Sequence, residues 1–149
     1  MNDFDVIGGG GGNAAFSAAL ASREAGGKVL MLERAPKELS GGNSRFTAGA
    51  FRFAYEGMQD ILELCPELTR EQIDITDFGT YTTDQFFDDM YRLTRFRTES
   101  NLCETLVKNS RNTMAWLQNH GIVFMPMYGR QAFKVEGRFK FWGGLTLET

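Results

Sequence analysis

Residues 4–33, FDVIGGGGGNAAFSAALASREAGGKVLMLE, decide how the rest of the chain is read. Phe4, Val6 and Ile7 open an apolar strand that runs into five consecutive glycines, Gly8 to Gly12. Ala14 to Ala25 is rich in alanine, with Phe16 and Leu20 four residues apart, the pattern of a helix lying close on a sheet. Gly26 and Gly27 supply its stop, and Lys28-Val29-Leu30-Met31-Leu32-Glu33 has the continuous apolar run of a buried parallel strand. The spacing predicts strand, glycine turn, helix and strand, a β-α-β unit of about 30 residues.

The turn fits G-x-G-x-x-[G/A] through Gly10, Gly12 and Ala15, with Asn13 between them. Gly10 permits the tight strand-to-helix reversal. A side chain at position 12 would keep a pyrophosphate from the backbone, and Ala15 is small enough to let the helix lie against the strand. The helix N-terminus then offers free N–H groups and partial positive charge to an anion. Glu33 ends the next strand 23 residues after Gly10, where an acid accepts hydrogen bonds from ribose hydroxyls. A carboxylate there disfavours the 2′-phosphate of NADP, although Arg34 beside it is a further candidate contact; FAD and NAD stay open at this point. Gly8 and Gly9 fit badly, since two apolar residues are expected at the end of a buried strand.

A second glycine cluster follows within residues 37–57, at Ser40-Gly41-Gly42-Asn43-Ser44 and again at Thr47-Ala48-Gly49-Ala50. An NAD dehydrogenase has no particular need for it. A long prosthetic group does, because extended backbone must run along its pyrophosphate, ribitol and ring. This cluster favours a flavin.

Composition sets the outer limits. The chain has 149 residues, 42% hydrophobic and 23% charged, enough to bury a core. No apolar run approaches the ~18–20 residues of a membrane span, and no leader-like start is present, so a cytoplasmic location is expected. The two cysteines, Cys65 and Cys103, are too few for a disulfide scaffold and lack metal-ligand spacing. The net charge of −3 is unevenly spread: residues 1–55 carry +1, residues 56–107 carry −8 and residues 108–149 carry +4. One short basic stretch on a net negative chain excludes nucleic acid as an expected partner.

Residues 58–149 read as mainly helical. Asp60 to Leu64 form a short helix stopped near Pro66. Thr82 with Gln85 is a capping-box pattern, opening a helix with Phe86, Phe87, Met90 and Tyr91 on one stripe. Asn101 with Glu104 opens another, with Leu102, Leu106, Ser110, Met114 and Leu117 on one side and Gly121 beyond its end. Phe133 and Val135, then Phe139 and Phe141, alternate with charged residues around Gly137 as a hairpin would. Arg130, Lys134, Arg138 and Lys140 are then an exposed strand face, with attraction of an anion by the basic tail as the weaker alternative. His120, the single histidine, suits a helix C-terminus without catalysis. No catalytic residue and no metal ligand is expected.

The stretches GGGNAA, LMLERAP, GGNSRFTAGAFRFAY and FWGGLTLET together resemble the N-terminal part of the FAD-dependent fumarate reductase/succinate dehydrogenase flavoprotein family. The resemblance covers essentially the whole chain. It implies an α/β fold with a Rossmann-type FAD half-site over 1–57, and a mainly helical segment with a hairpin over 58–149 that begins a substrate-capping region. It implies FAD held by Gly10, Gly12, Asn13, Ala15, Glu33, Arg34, Gly41, Gly42, Asn43, Ser44, Ala48 and Gly49. Of these, Ser44 would hydrogen-bond the middle of the cofactor, and Ala48 and Gly49 would lie beside its ring. The implied activity is redox at a carbon–carbon bond of a small carboxylate substrate, with an electron-acceptor protein as a further partner. Family members are several times longer and carry their substrate-gripping arginines and histidines downstream, so an N-terminal fragment, inactive by itself, is expected. An NAD-linked dehydrogenase and a non-catalytic, truncated nucleotide-binding fragment are the alternatives.

Overall fold

The computed structural model describes residues 3–149, as two compact units that meet in sequence between Gly49 and Ala50. Helix and strand are mixed in both, as in an α/β chain.

In the first unit, β1 (Val6–Gly9) and β2 (Val29–Leu32) pair in parallel, Val6 opposite Val29 and Gly9 opposite Leu32, and α1 (Asn13–Glu24) joins them. The helix stops where the glycines predict. Gly26 adopts φ +86°, its N–H bonds to Arg23 O, and the Gly27 N–H bonds to Ser22 O. These two bonds satisfy the last carbonyls of α1 in a Schellman closure. Asp5 fixes the start of β2 by accepting the Lys28 N–H at 2.8 Å. Short 3₁₀ turns at Lys37–Leu39 and Gly42–Phe46 complete the unit.

One expectation fails here. The strands were expected to be buried, yet no described residue of this unit is; Ile7 is 64% exposed, Phe16 55% and Leu32 55%. The reason is the number of layers: two strands covered by one helix leave the far sheet face without a cover inside the unit. A Cβ on Gly8 would stand 2.8 Å from the Met31 sulfur, the far end of a flexible side chain that can move aside, so this contact does not require glycine there. Nothing in the structure explains Gly9.

The second unit holds the buried core. It contains α2 (Met58–Leu64), α3 (Arg70–Asp74), α4 (Thr83–Leu93), α5 (Ser100–Asn119), β3 (Met125–Pro126), α6 (Tyr128–Gln131), β4 (Ala132–Val135), β5 (Arg138–Phe141) and β6 (Leu147–Glu148). Phe53, Tyr55, Ile61, Leu64, Cys103, Val107, Leu145 and Leu147 form its centre. The Thr82/Gln85 capping box forms at the start of α4, and Thr69/Gln72 makes a second at α3. The predicted hairpin is β4–β5, turned by Glu136 and Gly137, both at positive φ as a two-residue primed turn requires.

The start of α5 differs from expectation. Its cap is Glu99, whose carboxylate accepts the Leu102 N–H at 2.6 Å, rather than Asn101. The buried stripe is Cys103, Val107, Ser110 and Met114: the last two are buried as expected, while Leu102 and Leu106 are 71% and 49% exposed. Ser110 earns burial by bonding Val107 O and the Ala54 N–H. Burial pushes the Cys65 thiol up to about 12, the mark of an inert core cysteine.

The C-terminal residues matter to this core. Tyr55, only 1% exposed, donates its hydroxyl proton to Phe78 O at 2.8 Å and accepts the Leu145 N–H at 2.9 Å. A Cβ on Gly144 would meet the Tyr81 side chain at 2.8 Å, and Gly144 has φ +89°, so only glycine seats this turn. Tyr55→Phe leaves two buried groups without a partner and is expected to lower stability by about 1–3 kcal/mol. Gly144→Ala is expected to cost at least as much through clash and backbone strain combined. Urea unfolding measures both, and an unchanged midpoint for either would contradict this packing.

Candidate functional site

At the end of the parallel strand pair, the chain leaves β1 and turns sharply into α1. Gly10 makes the turn at φ +101°, a conformation L side chains rarely adopt, while its N–H still bonds Leu32 O at 2.7 Å. Gly12 is the N-cap of α1 and has no side chain with which to cap it. The Asn13 N–H is instead taken by the Ser44 hydroxyl at 2.9 Å, across 31 residues of sequence. The amides of Ala14 and Ala15 find no acceptor among the described residues. A helix N-terminus with free amides is a ready anion site.

The two glycine clusters therefore meet. A Cβ on Gly12 would lie 3.3 Å from both Gly41 O and Ser44 Oγ, tighter than most such contacts. Gly41 turns at φ +108° and Gly42 at φ +54°, which brings Ser44 back toward α1. The Ser44 oxygen accepts from Asn13, so its own proton is left to donate elsewhere.

Glu33 stands just past β2, beside the glycine turn. Its carboxylate accepts the Ala35 N–H at 2.7 Å. That bond above all holds it below the usual carboxylate range; partial burial opposes it, and the amides of Gly11 and Arg34 and the Arg34 charge add smaller lowering effects. One carboxylate oxygen lies 2.8 Å from where a Gly11 Cβ would stand. Glu33 is thus an ionised acceptor at the mouth of the turn.

Gly10, Gly12, Asn13, Glu33, Gly41 and Ser44 are drawn together by these contacts, and Ala15 sits half-buried in the first turn of α1. Gly42 and Asn43 are exposed on the turn between Gly41 and Ser44. Arg34 is exposed. Ala48 and Gly49 both have left-handed backbone, φ +55° and +68°, but make no hydrogen bond to the glycine turn. The Asn13–Ser44 bond could not be read from spacing, because nothing local ties a helix amide to a hydroxyl 31 residues on.

Elsewhere the cations of the hairpin are engaged. Lys140 pairs with Asp77 at 3.2 Å, Arg138 donates to Thr76 O at 2.8 Å, and Lys134 lies over the Phe139 ring at 4.7 Å. His120 closes α5 with Nδ1 2.9 Å from Trp116 O, as a helix-end residue would. No group of three or more metal-ligating side chains occurs among the described residues, and none of their helices is long and apolar enough to cross a membrane.

Compared with known protein families, the sequence finds a match. The FAD binding domain family matches residues 5–144. The chain belongs to that family, which makes it a flavoprotein of the oxidoreductase class with FAD as its cofactor. The match supports the likeness to the fumarate reductase/succinate dehydrogenase flavoproteins. No curated protein matches the chain closely enough to count as a relative. The residues present fit FAD: a helix N-terminus without its own cap, a backbone cradle that a Cβ at position 12 would fill, and an ionised acid beside it.

Removing the Ser44 hydroxyl tests the contact between the clusters. A lost cap costs about 1 kcal/mol, so Ser44→Ala is expected to speed hydrogen exchange of the Asn13 amide roughly fivefold. Exchange as slow as in the parent would mean that the two clusters do not meet.

Proposed function

We propose that this chain holds the cofactor in an FAD-dependent dehydrogenase acting on a carbon–carbon bond beside carboxylates. The observation that carries the reading is the Ser44 hydroxyl on the Asn13 amide, which joins both glycine clusters at the N-terminus of α1.

In this reading the arrangement is of the Rossmann type. Gly10 and Gly12 let the pyrophosphate reach the backbone, and the Ala14 and Ala15 amides donate to it together with the Ser44 hydroxyl. Gly12 needs to be glycine twice over: for the phosphate on one side and for Gly41 on the other. Glu33 accepts from the adenosine ribose hydroxyls, with Arg34 at the same edge. Gly41, Gly42 and Asn43 line the middle of the cofactor. Ala48 and Gly49 lie beside the ring, where the left-handed backbone of Ala48 is the kind of strain that gathers at ligand contacts. FAD supplies the redox chemistry, and the residues of this chain bind and orient it.

The substrate class follows from the family resemblance. Within that family the same motifs resemble those of tricarballylate dehydrogenase, so the proposed substrate is a polycarboxylate such as tricarballylate. The residues that grip substrate carboxylates and take the proton are not among those matched in this chain, which is assigned the cofactor-holding part of a longer enzyme.

Titration of the chain with FAD, followed by flavin fluorescence, tests the site. Binding is expected in the parent and at least about tenfold weaker, some 1.4 kcal/mol, in Gly12→Val and in Glu33→Ala. No binding by the parent, or equal binding in both variants, would sink the assignment. In the longer enzyme to which this chain is assigned, anaerobic bleaching of the bound flavin by tricarballylate but not by butyrate tests the substrate class; equal bleaching by both, or by neither, would remove it.

A further inference from the structure

The connection between α4 and α5 spends conformational free energy on an exposed shape. Thr94 ends α4, and the chain closes with the Arg95 N–H on Arg92 O at 3.2 Å and the Phe96 N–H on Tyr91 O at 2.8 Å. This is the closure that favours glycine just past the helix end. Here two successive non-glycine residues take the left-handed conformation, Arg95 at φ +53° and Phe96 at φ +59°. The Arg97 N–H on Thr94 O and the Thr98 N–H on the Thr94 hydroxyl hold them in it.

The strain displays an apolar surface. Phe96 is 81% exposed and Leu93 70% exposed. The Phe96 ring stacks on Tyr91 at 6.1 Å, and Tyr91 stacks on Phe87 at 6.3 Å, so an aromatic column leads out from α4 and ends in water. Three arginines, Arg92, Arg95 and Arg97, neighbour it in sequence. Arg92 is paired with Asp89 at 2.6 Å, whereas Arg95 and Arg97 have no ion-pair partner among the described residues. The setting makes this unusual: residues 56–107 carry twelve acidic and four basic side chains, and three of those four bases are at this corner.

That charge pattern selects the occupant. A bilayer or a nucleic acid is an extended polyanion and feels every charge within about 8 Å of its surface at physiological salt. It would meet Asp88, Asp89, Glu99 and Glu104, which flank the corner in sequence, along with the arginines. A short acidic segment can pair with Arg95 and Arg97, the two arginines without an ion-pair partner among the described residues, without spanning those acids. An apolar or aromatic side chain among its own acids would cover Phe96 and Leu93. We propose that the α4–α5 corner docks a short acidic segment of another protein, anchored on Phe96 by an apolar or aromatic residue and held by Arg95 and Arg97.

The test uses fluorescence anisotropy of the full chain with a fluorescein-labelled peptide that repeats Glu-Glu-Leu-Phe. Its counterpart has lysine for glutamate. The acidic peptide is expected to bind, more weakly as salt rises, and the lysine peptide not to bind. Phe96→Ser and the double variant Arg95→Gln/Arg97→Gln are each expected to weaken binding about tenfold while circular dichroism stays unchanged. Arg95→Gly separates docking from folding: it relieves the backbone, so it should raise the melting temperature while weakening the peptide. Absence of acidic-peptide binding, equal affinity in these variants, or equal binding of the lysine peptide would overturn the proposal. So would tighter binding to phosphatidylserine/phosphatidylcholine vesicles or to an oligo-dT strand than to the acidic peptide.

Discussion

The 2.9 Å hydrogen bond between the Asn13 amide and the Ser44 hydroxyl fixes how the second glycine cluster meets the start of α1. An α-helix begins with amides that lack intrahelical acceptors, and a glycine N-cap has no side chain to satisfy one of them. Ser44 fills that role from a distance and so draws the turn at Gly41–Ser44 onto the helix start. The approach is close enough that a Cβ on Gly12 would stand a tight 3.3 Å from Gly41 O and push it back by a few tenths of an ångström. One constraint therefore explains two features: glycine at position 12, and a second glycine cluster some thirty residues later. The helix start keeps amides for an anion, and the serine keeps a proton to give.

The two units are held by different physics. The first rests on backbone closures, on the parallel ladder and on polar ties such as Asp5 to Lys28, with no buried side chain among its described residues. The second rests on a buried aromatic and aliphatic core, closed by Tyr55, whose hydroxyl serves Phe78 and Leu145 at once. Its glycines mark close approach as well as turns: Gly144 leaves the space that the Tyr81 side chain fills. The Arg52 guanidinium lies 4.8 Å from the centre of the same tyrosine ring and bonds the carbonyl of Gly143. Residues at the end of the chain are thus integral to the core of this unit.

Local patterns were legible and distant ones were not. The β-α-β order, the Gly26–Gly27 stop, the Thr82/Gln85 box and the hairpin around Gly137 follow from near-neighbour chemistry, and each forms as read. The cap of α5 is Glu99, which spacing alone does not single out, because Asn101 and Glu104 carry the same three-residue spacing that Glu99 and Leu102 use. The buried stripe keeps the expected Ser110 and Met114 but continues through Val107 and Cys103 rather than Leu106 and Leu102. Burial of β1 and β2 was inferred from apolar runs, but a run reports affinity for a cover and cannot say whether the unit supplies one. At the site, Gly10, Gly12 and Glu33 were readable because spacing carries the chemistry. The reach of Ser44 to Asn13 was not, since it depends on how a turn folds back through space.

The central claim is that both glycine clusters form one cradle for FAD, and amide chemical shifts measured during an FAD titration test it most directly. The account predicts that the amides of Gly10, Gly12, Asn13, Ala14, Ala15, Gly41 and Ser44 move together with one binding curve, while those of Phe53 and Leu145 in the other unit's core stay still. Movement confined to the first cluster, or a different affinity at Gly41 and Ser44, would contradict it.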